Sequence, residues 1–105
     1  MSFRVDLTRE AEADLERLFD HILERELASP TCDPELGTRA LAAIRAGVAT
    51  LQASPFTCRK AGHSAFLREL VIAFGSAGYV ALFEIVDEHL VRVAAVRHQR
   101  EDDWH

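Results

Sequence analysis

The sequence predicts an α+β fold of order β-α-α-β-β-β, an antiparallel sheet with an N-terminal helical hairpin packed on one face. Three observations predict it. An alternating segment opens the chain, two stretches with apolar residues at helical spacing follow, and three short apolar runs joined by tight turns fill the last third.

The opening segment, Phe3-Arg4-Val5-Asp6-Leu7, alternates apolar and polar residues, the period of a strand with one buried face. Thr8 stands where an N-cap belongs, and Glu10, Glu12 and Asp14 place acid in the first turns of a helix. Ala11, Leu15, Leu18, Phe19, Ile22 and Leu23 give that helix its apolar stripe, from about Arg9 to Leu27. Ala28-Ser29-Pro30-Thr31-Cys32 breaks the pattern, and Asp33-Pro34-Glu35 restarts it with a capping acid and a proline at the first helical position. Leu36, Ala40, Leu41, Ile44, Val48 and Leu51 line the second helix, which ends before Ser54-Pro55 because proline disfavours helical geometry in the residue preceding it.

Residues 66–74, 78–86 and 90–98 are rich in Val, Ile, Leu, Phe and Ala and are separated by Gly75-Ser76-Ala77 and Asp87-Glu88-His89. Links this short force antiparallel neighbours, hence a meander. The first strand must join the same sheet, beside a neighbour the sequence does not name. In the first run of the meander, Phe66, Leu70, Ile72 and Phe74 share a face with Arg68, while Leu67, Val71 and Ala73 share the other with Glu69. With helices on one side only, that second apolar face points to a covering partner or terminal segment, and equally to a second copy or to modest surface hydrophobicity that needs no cover.

The 105 residues form one domain, 1–105, with room for a single two-layer core. Hydrophobic residues at 49% and charged residues at 28% are ordinary for a folded chain. The start has no basic region followed by an apolar stretch, and no apolar run is long enough to span a membrane. Cys32 and Cys58 lie in different connecting segments and are expected as reduced thiols in the cytoplasm. A net charge of −5 argues against gripping nucleic acid by bulk electrostatics. The average hides an asymmetry: residues 1–37 carry ten acids against four arginines, whereas 38–100 carry eight cations against four acids. No internal repeat, glycine-rich phosphate loop or closely spaced metal-ligand motif occurs, so no cofactor and no metal are expected.

Asp14-Leu15 early in the first helix, Leu51 with Ser54-Pro55 closing the second, Leu67-Arg68-Glu69-Leu70, Gly78-Tyr79-Val80-Ala81-Leu82-Phe83, and the tail Val96-Arg97-His98-Gln99-Arg100-Glu101-Asp102-Asp103 occur in this order. In that order and spacing the chain resembles the RelE/ParE superfamily, the toxins of type II toxin–antitoxin systems, and most closely the ParE-like branch. The resemblance implies a toxin neutralised by a cognate antitoxin that wraps over its surface, forming a hetero-oligomer. RelE-like members cut messenger RNA on the ribosome; ParE-like members poison DNA gyrase.

The residues weigh on that choice. Cleaving RNA through its own 2′-hydroxyl needs a base, cations over the phosphate and a proton donor. Arg68 stands at the position of the family's arginine in that strand, and Arg100 with Trp104 falls near its C-terminal arginine and tyrosine. Trp104 cannot supply a phenolic proton, and Lys60 is the one lysine. His98 is the remaining acid–base candidate, although a histidine at a strand end is more often structural. If the chain is a nuclease, Arg68, His98 and Arg100 would carry the chemistry. Arg68 could equally be satisfied by a cross-strand acid such as Glu84. As a binding toxin, the chain would face its target with Arg68, Arg97, His98, Arg100 and Trp104 and its antitoxin with Leu67, Val71, Tyr79 and Phe83. The lysine-poor, acidic composition favours the gyrase poison over the ribosome-dependent nuclease and does not separate it from a non-toxic binding module on the same fold.

Overall fold

The computed structural model describes residues 2–100. Two helices, α1 (Arg9–Leu27) and α2 (Leu36–Ala49), pack on a five-stranded sheet made of β1 (Arg4–Leu7), β2 (Arg59–Lys60), β3 (Leu67–Phe74), β4 (Ala77–Ile85) and β5 (Leu90–His98). The strand order is β1-β5-β4-β3-β2. The meander is antiparallel as its short links require. β1 lies parallel to β5, pairing Val5 with Val91 and Leu7 with Val93, so the sheet is mixed rather than wholly antiparallel. A long helical crossover frees β1 to run in either direction, and the parallel edge position lets Val5 and Leu7 pack on the core.

Thr8 caps α1 as expected, its hydroxyl accepting the Ala11 N–H at 3.1 Å. Ala11, Leu15, Leu18 and Ile22 are buried along one stripe of that helix. α2 begins two residues later than its proline suggests. Asp33 accepts the Glu35 and Leu36 backbone N–H groups, at 3.0 and 3.2 Å, so Asp33-Pro34-Glu35 forms a lead-in turn. The helix gives way at Thr50–Gln52 to a 3₁₀ turn that buries Leu51. Ala40, Ile44 and Val48 complete its inner stripe, and Gly47 lets the helix lie close over β3, since a Cβ there would sit 2.8 Å from Ile72.

Between the layers, Ile72, Tyr79, Ala81, Phe83, Ile85, Val91, Val93 and Val96 meet the helical stripes. On β5 the inward valines are spaced by two and then by three. A register shift opposite Leu82 and Phe83 pairs these residues with Ala95 and Val93, leaving Ala94 as the extra residue of a bulge. The bulge reverses the alternation, so Val96 stays inside and His98 follows it onto the helical side. The β3–β4 turn is two residues, Gly75-Ser76, one shorter than the sequence suggests; Gly75 takes φ +62°, the left-handed conformation such hairpins demand. β2 is too short to show a period of its own and is held at the edge by an Arg59–Glu69 ion pair of 3.0 Å.

β1 covers β5 only as far as Val93, and α1 holds the remainder of that edge. The Thr8 hydroxyl donates to the Ala94 carbonyl at 3.2 Å. Asp14 accepts the Val96 N–H at 2.9 Å and the Arg97 guanidinium at 2.6 Å. Because Asp14 satisfies a strand N–H that no neighbouring strand reaches, Asp14→Ala should destabilise the fold by about 2–3 kcal/mol, measured by urea unfolding. Asp14→Asn keeps an acceptor for Val96 but loses the charge, and should fall between the two.

Candidate functional site

The two ends of the sheet differ in chemistry. At the end where β3 begins, Phe3, Phe56 and Phe66 stack edge to face with centroid distances of 6.5 and 6.4 Å. Arg68 lies beneath them, 9% exposed, with its guanidinium 5.3 Å from the Phe56 ring centre. It donates to the carbonyls of Ala65, Phe56 and Cys58 at 2.7, 2.9 and 2.7 Å. The arrangement ties the loops on either side of β2 to β3. Glu84 is not its partner: Glu84 sits on the opposite face, 3.9 Å from Arg92. Burial pushes the Cys58 thiol upward, with Arg68 opposing, and both cysteines are free thiols.

At the other end a cleft of about 460 Å³ opens between α1 and the β3–β4 turn. His98 and Arg100 line it from the end of β5, His21 and Arg25 from α1, and Ser76 from the turn. Leu18, Ile22, Leu36, Phe74 and Tyr79 supply its apolar wall. The Tyr79 ring stands edge-on to His98 at 5.5 Å and tilted against Phe74 at 6.2 Å. The His98 Nδ1 accepts the Arg100 backbone N–H at 3.1 Å, which leaves Nε2 as that ring's donor. Burial raises the Tyr79 phenol above its ordinary pKa, and the Arg25 charge partly offsets this.

Of the three residues named for a nuclease, His98 and Arg100 lie together and Arg68 lies apart from them. Arg68 pairs with Phe83, and His98 with Tyr79, four residues away on β4 and two strands across. At ~3.3 Å per residue and ~4.8 Å per strand this separates the two backbones by roughly 16 Å. Arg68, expected to face a target, is instead buried with its guanidinium turned to three backbone carbonyls. Arg97 is committed to Asp14 at the β5 edge, whereas His98 and Arg100 share the cleft. Trp104 lies outside the described residues. Among the residues assigned to antitoxin contact, Leu67 and Val71 lie on the face away from the helices, Val71 being 45% exposed, but Tyr79 and Phe83 are buried in the core at 4% and 0%. β4 alternates, and its odd positions face the helices. His21 and Arg25 lie beyond the apolar stripe of α1 that periodicity picks out; Leu18, His21, Ile22 and Arg25, at i, i+3, i+4 and i+7, show that stripe turning basic toward its C-terminal end. No cluster of three metal-ligating side chains occurs among the described residues.

The family model for the ParE toxin of type II toxin–antitoxin systems, parDE, matches residues 5–103. The chain belongs to the ParE toxin family. A solved structure described as the chromosomal ParDE TA system from P. aeruginosa is similar to this ParE-family chain with a TM-score of 0.71 and 20% identity, covering 92% of this chain and 96% of that one, a likeness of fold. No curated protein matches the sequence. Among the described residues no helix is long and apolar enough to cross a membrane.

Two outcomes check these assignments. Arg68→Met, which removes the donors to three carbonyls, should cost about 2–4 kcal/mol and lower the melting temperature by roughly 10 °C or more, with Arg68→Lys falling between. An arginine held in reserve for a target would leave that temperature unchanged. Tyr79 is the sole tyrosine, so the ultraviolet absorbance of phenolate should titrate with one midpoint above the ordinary value of about 10. The unfolded chain releases this proton first, so its contribution to stability falls as pH rises from about 10 through the folded pKa.

Proposed function

We propose that this ParE-family toxin arrests growth by binding DNA gyrase and is held inactive by a cognate antitoxin. Membership of the ParE family over residues 5–103 carries the reading. The roughly 16 Å between Arg68 and His98 favours binding over RNA cleavage, because the acid–base group and that cation cannot act on one phosphate. The toxin would work in the cytoplasm, where Cys32 and Cys58 stay reduced.

The antitoxin would cover the face of the sheet that the helices leave open. Val71 is exposed there beside half-buried Leu67 and Leu82, with the Arg59–Glu69 and Arg92–Glu84 pairs in the same face. Apolar surface framed by charge is the anatomy of a protein interface. Tyr79 and Phe83 contribute to it only from beneath, through the core.

Induced expression should stop growth with loss of DNA supercoiling while messenger RNA remains intact, and purified toxin should inhibit gyrase directly. Message cleavage abolished by His98→Ala would instead support the RelE-type activity, and absence of any effect the non-toxic module. Val71→Asp should weaken antitoxin binding about tenfold or more in calorimetry without unfolding the toxin, since Val71 is already exposed. Unchanged affinity would remove this face from the interface.

A further inference from the structure

Within an acidic chain of net charge −5, the cleft beside the β3–β4 turn gathers Arg25, Arg100, His21 and His98, and none of its described lining residues is a carboxylate. The nearest paired acid is Glu26, 3.8 Å from Arg25, whose side chain is 58% exposed; so loose a pair leaves guanidinium donors for another anion. Beneath the two arginines the wall is apolar, with Phe74 backed by Tyr79 at 6.2 Å. A ligand suited to such a site has one concentrated negative group and a flat apolar body. A volume of about 460 Å³ accommodates a ligand of mononucleotide size and excludes a duplex. The overall negative charge also disfavours a long polyanion.

We propose that this cleft binds a phosphorylated nucleoside, its phosphate between Arg25 and Arg100 and its ring against Phe74. His21 and the Nε2 of His98 add donors at the phosphate end. A free nucleoside 5′-monophosphate and the 5′-phosphorylated end of a single strand present the same chemistry. The site is independent of whether gyrase is the target.

Calorimetric titration of the full chain at constant ionic strength tests this with adenosine 5′-monophosphate, adenosine, inorganic phosphate and a short DNA oligonucleotide with and without a 5′-phosphate. The monophosphate should bind saturably, inorganic phosphate more weakly, and adenosine not at all over the same concentrations. The Arg25→Gln/Arg100→Gln chain should bind the monophosphate at least about tenfold more weakly with its melting temperature preserved, since both side chains are exposed. Phe74→Leu should weaken the monophosphate but not inorganic phosphate. Tighter binding of the 5′-phosphorylated oligonucleotide than of the monophosphate assigns the site to a strand end, and equal binding assigns it to the free nucleotide. Equal binding of adenosine and its monophosphate, absence of saturable binding, or unchanged affinity in the double variant overturns the proposal.

Discussion

Beyond Val93 the edge of β5 has backbone groups that no strand reaches, and the docking of α1 answers to them. A strand edge left open within a packed layer would strand its N–H and C=O groups, and β1 is too short to cover it. The first turns of α1 do so instead, Thr8 at the bulged carbonyl and Asp14 at the Val96 N–H. This fixes the helix against the sheet at one end and with it the depth of the core. It also stabilises the bulge at Ala94, which keeps Val91, Val93 and Val96 all facing the helices.

The same bulge sorts the basic residues that follow. Without the extra residue, Arg97 would point inward and His98 outward. With it, Arg97 reaches Asp14 while His98 packs beside Tyr79 and lines the cleft. A backbone irregularity therefore decides which of the two side chains is tied to Asp14 and which lines the cleft. At the other end of the sheet Arg68 has the opposite fate, its charge spread over three carbonyls and an aromatic face. That end is a clamp on the loops around β2, and the cationic cleft is the end with room for chemistry.

Between these ends the outward face of the sheet presents apolar side chains framed by ion pairs. It is continuous with β5 through Arg97, whose partner Asp14 also anchors α1. Exposed ion pairs such as Arg59–Glu69 contribute little to stability and act here mainly on the register of the short edge strand.

Much of the fold was legible because its elements are local. The Thr8 cap, the α1 stripe, the proline before which the helical segment ends, and the meander forced by two short links each follow from neighbours in the chain, as does the ParE-like character carried by ordered short motifs. Tertiary structure decided what period alone cannot express: the parallel pairing of β1, the two-residue β2, and the bulge whose trace is the two-then-three spacing of Val91, Val93 and Val96. It also overturned the surface roles of Arg68, Tyr79 and Phe83, because burial depends on which face the helices cover, a choice made by packing and not by alternation. The cleft could not be seen in advance for the same reason: His21 and Arg25 come from a helix and His98 and Arg100 from a strand far along the chain, and only the docking of α1 on β5 brings them to one wall.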